Sequence, residues 1–268
     1  MTNTIGIMGC GWLGLPLAKS LIAEGYTIHG TTTSKEKLSV LEQAGINAFH
    51  VSISATKVSG AIADFLRPCD TLIINVPPRL RNNGVKESYV AKMQCLVAHI
   101  KVSTVKNVIF VSSTSVYGDE QGEVTEKTTP IPTTESGKQL LESEQLFEQT
   151  TEFKSTIVRF GGLIGPDRHP VTMLSGRENL KNGTAPVNLI HLTDCILILK
   201  QIIGQQQWGE IFNAVHPSHP PKQEYYRQKA LEKGLEPPKY YPSTHKTHKT
   251  INSCKLFLTK MHTDLTTL

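Results

Sequence analysis

The sequence predicts an α/β protein: a Rossmann-type, doubly wound parallel sheet with a small C-terminal lobe. Three observations carry this. Six short β-rich runs alternate with helical stretches up to residue 160, the pattern of a parallel sheet with right-handed crossovers. Two of those runs, Asp70–Val76 and Asn107–Ser112, are almost continuously apolar, as strands covered on both faces require. A glycine cluster, Gly9-Cys10-Gly11-Trp12-Leu13-Gly14, lies between the first run and the first helix.

The elements follow in order. Thr4–Met8 is a strand, and the helix after the glycines runs to Glu24. Pro16 falls in its first turn, where a missing N–H costs little. Tyr26–Thr31 is the second strand. Lys35–Ala44 is helical and stops at Gly45. Asn47–His50 is the third strand, and Lys57–Leu66 reads as a helix ahead of Pro68. Asp70–Val76 is the fourth strand, Val85–Val102 a long helix, and Asn107–Ser112 the fifth strand. Glu135–Gln149 is helical and Ser155–Phe160 is the sixth strand. The pattern then thins into a stretch rich in Gly, Pro, Asn and Arg. Asp194–Ile203 reads as a helix with Asp194 as its N-cap, and Glu210–Val215 as a strand. Prolines cluster at 217, 220–221 and 237–238, and Thr250–Ser253 is a final strand. This gives a core over 1–160 and a lobe over 161–268, interleaved with the last core elements.

Composition narrows the function classes. With 38% hydrophobic and 19% charged residues, the chain is neither disordered nor collagenous. The net charge of +5 sits wholly in residues 222–268, which hold nine basic and four acidic residues. A basic face spread over the fold, as nucleic acid requires, is therefore not expected; a small anionic partner near the C-terminus is. No apolar run reaches the ~18 residues of a membrane span. Ile5–Ala18 lacks the basic start of a signal peptide. The five cysteines make no C-x-x-C pair. They read as small buried residues in a reducing cytoplasm.

The glycine cluster fits G-x-G-x-x-G in its proper context, after a strand and opening a helix. Gly9 permits the tight turn, Gly11 lets the backbone approach a pyrophosphate, and Gly14 lets helix and strand pack closely. The helix N-terminus then faces the phosphates. The loop Gly9–Gly14 is thus a dinucleotide site. At the end of the second strand an Asp or Glu would hold the ribose 2′-hydroxyl of NAD. Thr31, Thr32, Thr33, Ser34 and Lys35 stand there instead. Hydroxyls and a lysine suit a 2′-phosphate, which favours NADP over NAD.

Phe110-Val111-Ser112-Ser113-Thr114-Ser115-Val116-Tyr117-Gly118 follows the fifth strand. It resembles the strand-five signature of the extended short-chain dehydrogenase/reductase superfamily, the branch of nucleotide-sugar epimerases and dehydratases. Val124-Thr125-Glu126 with Thr129-Pro130, Arg159-Phe160-Gly161-Gly162 with Gly165-Pro166, and His191-Leu192-Thr193-Asp194 match further family segments. The resemblance spans about residues 4–215. It implies a Tyr-x-x-x-Lys pair assisted by Ser or Thr, with the tyrosine moving the proton. Ser113 matches the family serine and Lys138 the family lysine, which would hold the nicotinamide ribose. Thr134 stands in the tyrosine position, as a weak acid or a plain helix cap. Tyr117 is the nearest tyrosine able to replace it, with Tyr225 and Tyr226 as candidates from the second lobe.

The loop G-C-G-W-L-G, the segment Asn75-Val76-Pro77-Pro78 and the strip T-E-S-G-K resemble an atypical subgroup of that superfamily. By that analogy Asn75, Val76, Pro77, Phe160 and Gly161 border the cofactor. Ser113, Arg168, His191 and Tyr225 face the substrate, a small polar molecule of nucleotide-linked character. His169, His216, His219, His245 and His248 lack metal-ligand spacing, so no metal is expected. A homodimer through the helices at about 85–102 and 135–150 is the family expectation; Val90, Met93, Leu96 and Val97 serve that or the sheet. Two functions stand side by side: an NAD(P)-dependent epimerase/dehydratase-like or reductase-like enzyme, and a cofactor-binding sensor without turnover.

Overall fold

The computed structural model describes residues 3–78, 87–241 and 248–255. Its strands are β1 (Thr4–Met8), β2 (Thr27–Thr32), β3 (Asn47–Ile53), β4 (Val58–Gly60), β5 (Thr71–Ile74), β6 (Asn107–Ser113), β7 (Glu123–Val124), β8 (Lys154–Phe160), β9 (Gly162–Ile164), β10 (Leu189–His191), β11 (Ile211–Ala214) and β12 (Thr250–Ile251). Its helices are α1 (Gly14–Ala23), α2 (Leu38–Gln43), α3 (Ile62–Leu66), α4 (Tyr89–Lys101), α5 (Glu135–Glu148), α6 (Pro170–Leu174), α7 (Leu192–Gly204) and α8 (Lys222–Glu232).

One eight-stranded sheet organises the molecule, in the order β11-β8-β6-β5-β1-β2-β3-β4. Every pairing in it is parallel except β3 with β4. The chain leaves β1 towards β2 and β3, then returns to β5 and winds outward the other way. Strand order therefore reverses between β1 and β5, the crevice where open α/β sheets bind ligands at their carboxyl ends.

Both faces are covered. On one, Phe65, Met93, Leu96, Phe110 and Phe147 form a buried core, with Phe110 and Phe147 stacked at 4.7 Å. On the other, Leu17, Leu21, Ile198, Leu199 and Phe212 do the same. Each such side chain contributes roughly 1.5–3 kcal/mol by burial. A third, smaller buried cluster holds Val171, Leu189, Tyr225 and Tyr226, in the stretch expected to form the second lobe. The strands β9 and β10 form a separate two-stranded pair.

Several expectations are corrected. Lys57–Leu66 is not one helix. Gly60, at φ +99, ends β4, and only Ile62–Leu66 is helical. The helix expected from Val85 starts at Tyr89; Val85 itself lies outside the described residues. Met93, Leu96 and Val97 of α4 pack into the sheet core, so they carry no argument for a second copy. The N-cap of α7 is His191, whose Nδ1 accepts the Thr193 N–H, and Asp194 lies inside the helix. Helix α8 emerges from a proline-rich stretch in which no helix was expected. Cys10, Cys69 and Cys195 are buried, whereas Cys95 is half-buried and Cys254 exposed.

Candidate cofactor and reaction site at the strand ends

The glycine loop is built as its residue types demand. Gly9 takes φ +99, and a Cβ on it would stand 2.6 Å from the Asn75 carbonyl oxygen. Asn75 Nδ2 donates to the Gly9 carbonyl at 3.3 Å, joining the ends of β1 and β5. A Cβ on Gly14 would stand 2.2 Å from the Gly9 carbonyl oxygen, so α1 packs on the loop too closely for any other residue. At Gly11 a Cβ would meet nothing within 4 Å. The loop is crowded where it packs and open where a ligand would approach. Cys10 fills the space beside Gly30, and burial pushes its thiol up to about 12.

At the end of β2, the Thr31 hydroxyl accepts the Gly9 N–H at 2.9 Å, so it shapes the loop itself. Thr32 Oγ1 accepts the Ser34 N–H at 3.2 Å. The Thr33 carbonyl meets His50 Nε2 at 3.3 Å. Ser34 donates to Glu36 at 2.5 Å, and Lys35 is exposed. The carboxylate of Glu36, one residue beyond Lys35, is exposed as well. Val76 is fixed by the buried Tyr89, whose hydroxyl donates to its carbonyl at 2.7 Å; Pro77 is exposed.

Trp12 leaves the loop towards the second lobe. Its Nε1 donates to Asp167 at 2.9 Å, and the Arg168 guanidinium lies 4.9 Å from its ring. Cation–π contact of this kind orients an arginine. Arg168 is thereby brought to the glycine loop. Leu13 is buried among the core side chains beside α1. Phe160 is buried, and Gly161 lies so close to the Asn188 carbonyl that a Cβ would stand 2.7 Å away.

The chemistry strip lies at the end of β6. Ser113 Oγ accepts the Ser115 N–H at 3.1 Å. Gly137 lets α5 dock on that turn: a Cβ there would stand 2.2 Å from the Ser115 carbonyl oxygen. Thr134 Oγ1 accepts the Gly137 N–H at 3.1 Å and caps α5. Lys138 is exposed one residue further on.

Tyr117 points elsewhere. It is buried, and its hydroxyl receives Arg159 Nη1 at 2.6 Å and lies 3.0 Å from Asn213 Oδ1. Burial raises its pKa and outweighs the lowering by Arg159, so it remains a neutral phenol. Arg159 grips the buried Glu144 through Nε and Nη2, and the Ser112 hydroxyl donates to Glu144 Oε1 at 2.5 Å. Tyr225 is likewise buried in the lobe core. His169 Nδ1 accepts the Val171 N–H, which leaves Nε2–H to donate to the Tyr225 hydroxyl at 3.0 Å. His191 is buried at the head of α7.

The family model described as NAD(P)H-binding matches residues 9–190. The chain belongs to this NAD(P)H-binding family. Escherichia coli (strain K12) Protein YeeZ is similar, 36% identical over 88% of this chain and 86% of that protein. The NAD(P)H-binding fold also resembles MoeE5 in complex with UDP-glucose and NAD, at 20% identity and TM-score 0.75, covering 94% and 90% of the two chains. A UDP-glucuronic acid 4-epimerase from Bacillus cereus, solved with UDP-glucuronic acid and NAD, is similar at 19% identity and TM-score 0.75, covering 92% and 89%. The chain is thus an NAD(P)H-binding protein with an epimerase/dehydratase-like fold. No helix among the described residues is long and apolar enough to cross a membrane.

Sequence reasoning missed Lys249. Its Nζ donates to the Tyr117 carbonyl at 2.6 Å and the Thr114 carbonyl at 3.3 Å. This lysine reaches the turn after β6 from 132 residues away. No local signal marks it, because only the tertiary path of the chain brings it there.

Proposed function

We propose an NAD(P)(H)-dependent epimerase/dehydratase-like or reductase-like enzyme acting on a small anionic, nucleotide-linked substrate. The observation that carries this is the open face at Gly11, at the sheet's switch point, two strands from Ser113. The N–H groups of Trp12–Gly14 hold the pyrophosphate, with Asn75, Val76 and Phe160–Gly161 as walls. Arg168, held on Trp12, adds charge on the lobe side. Lys138 holds the nicotinamide ribose, and Ser113 donates to the reacting oxygen. The bound dinucleotide supplies hydride chemistry. Its choice between NAD and NADP rests on Lys35, which attracts a 2′-phosphate, against Glu36, which repels it. The free cysteines suit a reducing cytoplasm.

Thr134 favours a second reading. Its hydroxyl caps α5, and an alcohol is too weak an acid to replace a phenol. A cofactor-reading sensor without turnover follows from that residue. Titration with NADPH and NADH, then a screen of UDP-glucose and UDP-glucuronic acid for hydride transfer or epimerisation, separates the two. Turnover lost in Lys138→Met identifies the enzyme. Tight binding without turnover, unchanged in Thr134→Tyr, identifies the sensor. No dinucleotide binding defeats both.

A further inference from the structure

A pocket of about 240 Å³ opens between the second lobe and the segment 248–249. Lys222, Tyr226, Lys249, Asn188, His248 and Asp119 are among its lining residues. Its walls are fixed by backbone. Lys222 N–H donates to the Ala185 carbonyl at 2.9 Å, and Val187 N–H to the Pro220 carbonyl at 3.0 Å. Asn188 grips the far wall with both amide atoms, donating to the Lys249 carbonyl at 2.9 Å and accepting the Ile251 N–H at 2.8 Å.

The charges in this pocket are unbalanced. Lys222 is half-buried and makes no ion pair with the described residues. Lys249 is 14% exposed, and its carboxylate partner is Asp119 at 3.3 Å, which is itself 83% exposed. Two lysines thus line the pocket, and the one carboxylate among the lining residues named, Asp119, is water-screened and pairs with Lys249. The Tyr226 side chain is 7% exposed. The residue borders the cavity, where a tyrosine hydroxyl can donate to a ligand oxygen. His248 meets Thr184 Oγ1 at 3.3 Å, at the rim.

We infer that Lys222, Lys249 and the Tyr226 hydroxyl form the cradle for an anionic group of the substrate, a phosphoryl or carboxylate oxygen set. The site deepens the substrate reading above and rests on it for naming the anion's bearer. Lys249 has a second task. Its hydrogen bonds to the Thr114 and Tyr117 carbonyls tie the cradle to the turn that follows Ser113. It is a positioning residue, linking the bound anion to the reacting end of β6. Both the burial of Lys249 and the nearness of Lys222 lower the Lys249 pKa, and an anion between them relieves that cost.

Calorimetric titration tests this, with UDP, uridine, inorganic phosphate and glucuronic acid as probes. UDP is expected to bind the wild type and uridine at least about tenfold more weakly, the scale of one charge-assisted hydrogen bond. Lys222→Gln should weaken UDP by about the same factor, Lys222→Arg should restore most of it, and Tyr226→Phe should weaken it a few-fold. Competition by phosphate assigns a phosphoryl site and competition by glucuronic acid a carboxylate site; either supports the cradle. Equal affinity for uridine and UDP, or Lys222→Gln binding UDP as the wild type does, overturns it. Circular dichroism of each variant checks that the fold is retained. NADPH is titrated separately. A wild type that binds UDP but no dinucleotide sinks the cofactor reading and supports the anion site. One that binds NADPH and none of the anions sinks the anion site alone.

Discussion

Two glycines of one loop carry opposite expectations. Gly11→Ala adds a methyl into open space. Its melting temperature should match the wild type while NADPH affinity falls at least about tenfold, since the methyl meets the phosphates. Gly14→Ala pushes a methyl against the Gly9 carbonyl. It should lose about 1–3 kcal/mol of stability in urea unfolding. A Gly11→Ala variant that keeps full NADPH affinity would remove the loop from the cofactor site. Just beyond β2, Glu36→Gln should raise affinity for NADPH relative to NADH, measured by fluorescence titration, if the proposed site holds the 2′-phosphate near this carboxylate. An unchanged ratio would exclude Glu36 from the choice.

Among the elements, β6, β8 and α5 are joined by the buried Arg159–Glu144 pair. Removing one charge leaves the other unpaired in the core, so Arg159→Met should cost about 3–5 kcal/mol. The double variant Glu144→Leu/Arg159→Met should recover much of that in chemical unfolding. If both are equally unstable, the pair is not the cause. Glu126 plays a comparable part for β12. Burial works against its charge, yet bonds from Cys254, Ser253 and Asn213 hold its carboxyl below the ordinary range. The parallel strands and their glycine turns were legible because each announces itself locally, as apolar run or motif. β4 was not: Val58, Ile62, Phe65 and Leu66 have helical spacing, and the positive φ of Gly60 is invisible in that pattern. Nor was α8, whose polar sequence hides Tyr225 and Tyr226 as its buried side. Ser113, Lys138 and the loop are singled out by motifs and stand as proposed site residues; Lys249 has no such mark, since its contacts arise only on folding.

For the whole molecule, histidines set the acid limb of stability. Burial lowers the pKa of His29 and of His216 from the ordinary 6.5. His216 Nδ1 also accepts the Ser218 N–H at 3.0 Å, which requires an unprotonated nitrogen. The unfolded chain therefore binds more protons than the folded one just below 6.5. Stability from these groups is complete above about pH 6.5 and is lost as pH falls through their folded values. The urea midpoint should drop between pH 7 and pH 5, and His216→Gln should flatten that slope. A variant with the wild-type slope would clear His216 of the effect.

Trp12 gives the molecule an optical property. The chain has two tryptophans. Trp208 precedes β11 at the amino edge of the parallel sheet, whereas Trp12 follows β1 at the carboxyl edge. Reduced nicotinamide absorbs where indole emits, so the two residues lie at unequal distances from any dinucleotide in the crevice. Loading would quench Trp12 first, and a Trp12→Phe protein would report on the far edge alone. The loop proposed to hold the pyrophosphate thus carries its own fluorophore, and occupancy can be read without any label.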